Sequence, residues 1–340
     1  MIIIDGSFGE GGGQIIRTSL ALSLVTGKAF RIERVRPRRD RPGLQRQHLT
    51  AVTSAAEIGR AETSGASIGS AQFTFTPRGV TPGDYTFSIG TAGSATLVLQ
   101  TVLPPLMIAA LPSRITLEGG THNVHAPPFE FLAETFLPLV SRMGPRVGAE
   151  LQRYGFYPPG GGRFEVSIDP ATELKRLDIP ERGPIRSKRA RALVVNLPPG
   201  IGHRELGVIR ERLGWSDEQL EVATSTNAFS PGNVLTIRIE SEHLTEIITG
   251  IGERGVRAET VAERAVAETE EYLETGAPVG EHLADQLLIP LALAGGGSYL
   301  TGPLSLHTTT NIAIIRKFLD VDIKTEQVSD RVWKVEVERS

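Results

Sequence analysis

Three stretches of this chain repeat one design, and that repetition constrains the fold more than any single motif does. The first opens on Gly9-Glu-Gly-Gly-Gly-Gln-Ile-Ile-Arg17, the second on Gly90-Thr-Ala-Gly-Ser-Ala-Thr-Leu-Val-Leu-Gln100, and the third on Gly280-Glu-His-Leu-Ala-Asp-Gln286. Each is a glycine-bearing turn leading into a mostly apolar helix with one conspicuous polar residue in its first half: Arg17, Gln100 or Gln286. An alternating, strand-like stretch follows each helix, at 30–35, 114–118 and 299–306. Second amphipathic helices are expected at 43–58, 129–143 and 311–319, and closing strands at 72–76, 163–168 and 332–337. Strands that alternate with helices predict an α/β fold of the layered α+β kind rather than a sandwich.

The spacing of the repeats is uneven. From Gly9 to Gly90 is 81 positions, but from Gly90 to Gly280 is 190, so something is inserted before the third turn. Residues 182–275 have their own pattern of strands (192–197, 219–224, 234–240) and charged helices (204–213, 261–273). We read them as a small inserted α/β domain, with 1–181 and 276–340 forming the repeat body. The 37 Gly and 22 Pro are spread through a chain that is 40% hydrophobic, which excludes disorder and collagen-like structure. Residues 1–5 read as a buried strand with no signal-peptide pattern, so the expected location is cytoplasmic. The charge-free stretch 85–113 is broken by Gly90, Gly93, Gln100 and the Pro104-Pro105 pair, which favours a buried helix over a membrane span.

Without cysteine there is no disulfide framework, thiolate metal site or Cys nucleophile. Glu10 lies within glycines just ahead of a helix. The glycines let backbone N–H groups approach phosphate oxygens, and the carboxylate suits a divalent metal that bridges to them. No Gly-Lys-Ser/Thr follows, so this is not a Walker A loop. Arg17 is the lone charge on its helix and must meet a carboxylate, with Glu10 and Asp5 as candidates, or a ligand anion. Residues 31–46 hold seven Arg against Glu33 and Asp40, a local positive field in a chain of net charge −3. Arg forks bind phosphate bidentately, and RNA phosphate is a natural partner. No aromatic residue interrupts the run, so base stacking is not expected there.

His307 is placed where a strand ends and a second helix begins, a position assigned to Arg36 in the first repeat and to residues 121–123 in the second. Three hydroxyls and Asn311, a candidate helix cap, follow it. A neutral imidazole is nucleophilic near pH 7, which makes His307 a candidate covalent nucleophile. His122-Asn-Val-His125 has only a superficial likeness to a zinc pair.

Together with Arg41-Pro-Gly-Leu-Gln-Arg-Gln-His48, Gly155-Phe-Tyr-Pro-Pro-Gly-Gly-Gly162 and His307-Thr-Thr-Thr-Asn311, these motifs resemble the RNA 3'-terminal phosphate cyclase family, in order from the first strand to the last helix. The resemblance implies three repeats of a four-stranded sheet with two helices, plus a small inserted α/β domain. It also implies a reaction in which a histidine takes AMP from ATP, passes it to an RNA 3'-phosphate, and the neighbouring 2'-hydroxyl closes a 2',3'-cyclic phosphate. By this resemblance His307 is the nucleophile, with Arg17 and a Glu10-held Mg2+ or Mn2+ stabilising phosphoryl charge. Gln100, Pro127, Phe131, His282, Asp285 and Gln286 form the nucleotide pocket, His282 standing where some relatives have Tyr. Arg36, Arg39, Gln47 and His48 hold the RNA phosphate. Two other readings stand beside it: a non-catalytic ribosome-assembly relative, which has lost the nucleophile, and a small-molecule transferase of similar repeats. No membrane partner is expected, and a homodimer is left open.

Overall fold

The computed structural model describes residues 1–340. In the first repeat β1 (Ile2–Asp5), α1 (Gly13–Thr26), β2 (Phe30–Glu33), α2 (Arg46–Gly59), β3 (Glu62–Ser64) and β4 (Phe73–Thr76) build a sheet of order β1-β2-β4-β3. The second repeat has β5 (Asp84–Ser88), α3 (Ala95–Met107) and β6 (Ser113–Gly119), then a π-helical stretch (Phe131–Phe136) running into α4 (Leu137–Arg142), then β7 (Arg146–Arg153) and β8 (Gly162–Asp169). Its order, β5-β6-β8-β7, is the same.

The third repeat starts at β9 (Leu177–Ile179) and is at once interrupted. The intervening β10 (Ile185–Val195), α5 (Gly200–Leu213), β11 (Leu220–Ser225), β12 (Gly232–Ser241), β13 (Thr245–Ile251) and α6 (Ala258–Thr275) form a sheet of different order, β11-β10-β12-β13. The repeat then resumes with α7 (Glu281–Ala294), β14 (Gly296–Thr301), α8 (Leu306–Phe318), β15 (Val321–Ser329) and β16 (Val332–Arg339), paired as β9-β14-β16-β15.

In every repeat the first two strands are parallel. Parallel neighbours need a long crossover, so the apolar helix after each glycine turn is the element that joins them. The remaining strands pair antiparallel. One apolar cluster runs through all three repeats, joining Ile15, Leu99, Leu287 and Ile315, whereas the inserted segment packs its own around Leu206, Leu235, Ile237 and Val266. Helix α1 contacts α2, α3 and α8, and even its Ser19 and Ser23 are buried. That enclosure explains why it is apolar on nearly every face.

Several boundaries differ from expectation. The strand expected at 299–306 is Gly296–Thr301, and the helix expected from 311 begins at Leu306, because Ser305 rather than Asn311 caps it: Ser305 Oγ accepts from the Thr308 amide at 3.2 Å. The first strand is not buried as a whole. It is an edge strand in which Ile4 is buried and Ile3 is 54% exposed. The charge-free stretch becomes α3 inside the core, and no helix is long and apolar enough to cross a membrane. The third repeat's first strand, β9, lies before the insertion and was invisible as a repeat element because its helix starts only at Glu281, far along the chain.

Candidate active site

The three crossover helices bring their polar residues to one place. A narrow cavity of about 40 Å³ is lined by Gln14 and Arg17 of α1, Gln100 of α3, and Asp285 and Gln286 of α7, with Phe136 and Asn311 in its wall. Each of the single polar residues that stood out on the apolar helices therefore faces this centre.

The glycine turn that opens α1 packs tightly against neighbours. Gly9 has φ +54°, and a Cβ there would lie 2.1 Å from Thr310 Oγ1 of α8; a Cβ on Gly13 would lie 2.6 Å from His48 Nε2. Both positions exclude a side chain for a stated reason, positive φ at one and contact at both. Thr310 Oγ1 in turn accepts from the Glu10 amide at 3.0 Å, so the first and third repeats are fastened across the turn.

A chain of hydrogen bonds runs from α7 through α1 to α8. Gln14 Nε2 donates to Asp285 Oδ2 at 2.6 Å, leaving Gln14 Oε1 as an acceptor for His307 Nδ1, 2.8 Å away. That arrangement puts the proton of neutral His307 on Nδ1 and leaves Nε2 with its lone pair. Burial, and next Arg17 among the lowering influences, hold the His307 pKa below the ordinary imidazole value, against the opposing pull of Glu10. Asn311 supports the same arrangement: its Nδ2 donates to the Asp285 carbonyl at 2.7 Å and its Oδ1 accepts from Thr18 at 2.8 Å.

Two buried polar atoms in this centre have no partner within the protein. Arg17 does not form an ion pair with Glu10 or Asp5; those carboxylates pair with Arg39 and Arg34. Its Nε is buried without a partner, and burial pulls its pKa down to about 10, still charged at neutral pH. Burial also pushes Asp285 up to about 7. Glu10 Oε2 is a second buried atom without a partner. No three His, Asp or Glu side chains cluster as a metal cage. A lone carboxylate suits a cation that arrives with phosphates and keeps its other ligands from them.

The arginine run folds over the turn. Arg39 reaches Glu10, Arg38 Nη2 donates to the Ser7 carbonyl at 2.7 Å, and Arg36 Nη1 donates to the carbonyls of Arg41 and Gly43 at 2.8 Å each. Arg36 thus also braces its own loop, where it has φ +51°. His48 is buried beside Arg36 and Arg17. Burial first, then those two cations, push its pKa down to about 3, so it is a neutral donor at any physiological pH.

The family model for RNA 3'-terminal phosphate cyclase matches residues 8–325. The chain belongs to the RNA 3'-terminal phosphate cyclase family. Proteins carrying that name include one of Koribacter versatilis (strain Ellin345), 52% identical over 96% of this chain and 92% of its own. Another, of Ectopseudomonas mendocina (strain ymp), is 49% identical over 99% and 98%. A third, of Salmonella agona (strain SL483), is 43% identical over 98% and 96%.

Seen as a cyclase-family site, most residues singled out in the sequence converge: Glu10, Arg17, Arg39, His48, Gln100, Asp285, Gln286 and His307 lie in or around the turn and the cavity. Others stand apart. Phe131 is 2% exposed in the core, while the aromatic in the cavity wall is Phe136. Pro127 lies in the loop before the π-helical stretch, its carbonyl accepting from Thr96 at 2.8 Å. His282 is exposed and 3.5 Å from Glu268. His307 sits inside the first turn of α8, two positions after its cap, and the residue at that position of α2 is Gln47, not Arg36. His122 donates or accepts with Glu130 at 2.7 Å and takes part in no metal cluster. Sequence reading missed Gln14, although a signal was available: it lies one helical turn before Arg17 on the same apolar helix.

Proposed function

We propose that this protein converts an RNA 3'-terminal phosphate into a 2',3'-cyclic phosphate at the expense of ATP, through a covalent His307-AMP. The observation that carries the proposal is the Asp285–Gln14–His307 chain, which presents a neutral imidazole Nε2 beside a buried, unpaired Arg17. In the first step Nε2 attacks the α-phosphorus: an N–P bond forms, the P–O bond to the β-phosphate breaks and pyrophosphate leaves. An oxygen of the RNA 3'-phosphate then displaces the histidine from that phosphorus. Last, the adjacent 2'-hydroxyl, losing its proton, attacks the RNA phosphorus and AMP departs.

Most of the candidate residues have a part that their surroundings support. Arg17, aimed into the cavity with no internal partner, meets the charge that develops on phosphoryl oxygens, where a preorganised cation is worth most. Gln100, Asp285 and Gln286 orient the nucleotide, with Pro127, Phe131 and His282 assigned to it by family resemblance. Arg36, Arg39, Gln47 and His48 receive the RNA phosphate, His48 through its Nε2–H. Glu10 would hold a Mg2+ or Mn2+ ion, which would supply neutralisation of phosphate charge. Residues 182–275 act as a separate domain on a body of 1–181 and 276–340, and the protein works in the cytoplasm.

Intact mass after incubation with ATP and a divalent cation tests the proposal: one added AMP is expected on the wild type and none on His307→Ala. Absence of the adduct from the wild type, or an equal adduct on the variant, would defeat it.

A further inference from the structure

A second opening is far larger than the nucleotide cavity. It is a cleft of about 1030 Å³ between the second repeat and the inserted segment. One wall is made by the loop after β6, the turn after β7 and the first turn of α3. The other is made by the first turns of α5 and α6, the start of β12 and the loop after β13. Gln47 also lines it, and its Oε1 accepts from the Ser94 amide at 3.0 Å. Gln47 neighbours His48 in the first turn of α2, so the cleft lining includes a residue assigned to the RNA phosphate.

The lining carries three kinds of group. Glu205 of α5 is completely buried; its Oε1 accepts from Asn233 Nδ2 at 2.5 Å, and its Oε2 has no partner at all. A buried carboxyl oxygen left unpaired is costly, roughly 1–3 kcal/mol for an ordinary polar group, and Glu205 lies in the wall of the cleft. Burial pushes Glu205 up to about 7, so near neutral pH it can accept a hydrogen bond or donate one. Tyr157 is 81% exposed and lines the cleft. Arg254 lines it too, exposed and free of any ion pair or side-chain hydrogen bond. A stacking ring, a free guanidinium and a buried carboxyl-amide pair are what single-stranded nucleic acid requires: stacking for a base, charge for a phosphate, and hydrogen bonds for a base edge.

We propose that this cleft is a subsite for the RNA nucleotides immediately 5' of the phosphorylated end, with Tyr157 stacking a base, Arg254 meeting a phosphate, and Glu205 with Asn233 contacting a base edge. The inserted segment thereby serves as one jaw of the RNA site. This inference rests on the cyclase reading above and deepens it. Clefts at domain junctions are common ligand sites, and the volume is that of a large ligand.

The test compares a nucleoside 3'-phosphate, which has nothing 5' of its terminal nucleotide, with a decanucleotide 3'-phosphate under steady-state cyclisation, alongside self-adenylylation with ATP alone. Wild type is expected to favour the decanucleotide in kcat/KM. The Tyr157→Ala and Arg254→Ala double variant, changed only at exposed positions, is expected to lose about tenfold or more on the decanucleotide while adenylylation and turnover of the nucleoside 3'-phosphate stay unchanged. Glu205→Gln, which keeps the shape, is expected to change the relative rates of decanucleotides that differ only in their penultimate bases. An unchanged decanucleotide rate in the double variant, an equal loss on both substrates, or no wild-type preference for length would each overturn the subsite. Failure of the cyclase reading is distinct, since wild type would then cyclise neither substrate.

Discussion

The first turns of α2 and α8 occupy the same place in two repeats, and each carries a histidine near the same centre, yet the two imidazoles are prepared for different work. In α2 the histidine belongs to the cap itself: His48 Nδ1 accepts from the Gln45 amide at 3.1 Å, leaving only Nε2–H to offer. In α8 a serine does the capping, and His307 one position earlier is free to lean on Gln14 through Nδ1. Both lose proton affinity to burial, but His48 falls to about 3 with two cations against it and no carboxylate to help, whereas His307 has Glu10 and Glu281 in partial opposition to Arg17 and His282. The difference teaches that the chemical role follows from what Nδ1 does: accepting from the helix cap leaves His48 Nε2 a donor, whereas donating to Gln14 leaves His307 Nε2 its lone pair.

The largest expected effect separates the two residues outright. His307→Ala should abolish transfer of label from α-labelled ATP to protein, a loss of roughly 10⁴-fold or more for removal of a covalent nucleophile. His48→Ala should still take the label and fail mainly in cyclising RNA. Labelling lost equally in both variants would erase the distinction between the two helices.

A smaller effect concerns what sets the tautomer. Gln14→Ala should slow adenylylation by about 10–100-fold, the range typical for losing an orienting partner, with the fold and the nucleotide's KM little changed. Gln14→Glu keeps an acceptor for Nδ1 but places a carboxylate beside it, which favours the imidazolium. The sign follows directly. In wild type the His307 pKa is lowered by burial, so the acid limb of the adenylylation rate should lie below the ordinary value of about 6.5. In Gln14→Glu that limb should move to higher pH. A wild-type limb above the ordinary value, or no movement in the variant, would count against the Nδ1–H assignment. A pH profile for His48→Ala labelling should retain the wild-type limb, since His48 does not titrate in that range.

Much of this site was legible before the structure. Polar residues on apolar helices announce themselves, because burying Arg17, Gln100 or Gln286 without a purpose is costly, and the glycine turns marked where the helices began. The uneven repeat spacing marked the stretch whose strands β10 to β13 pair in a sheet of their own. Other features were hidden for physical reasons. Gln14 is an ordinary helix residue whose meaning lies in partners 271 and 293 positions away. The start of α8 was misplaced by five residues because Ser305-Leu-His-Thr-Thr reads as a polar loop until one sees that Ser305 caps it. The cleft against the insertion could not be read at all, since it arises from the packing of two sheets whose orders differ.

The smallest effect tests the cap. Ser305 Oγ accepts from the Thr308 amide, so Ser305→Ala should cost about 1 kcal/mol of stability, measured by denaturant unfolding. The same change at Gln45 should cost less, because the α2 box keeps the His48 contribution, an acceptor supplied from inside the helix to the Gln45 amide. If the cap matters to chemistry as well as to stability, Ser305→Ala should lower the adenylylation rate a few-fold by loosening the turn that carries His307, and Ser305→Thr, which keeps the hydroxyl, should restore it. Stability lost with the rate intact would mean that Gln14 alone holds the imidazole, and the contrast between the two helices would then rest on that one hydrogen bond rather than on their caps.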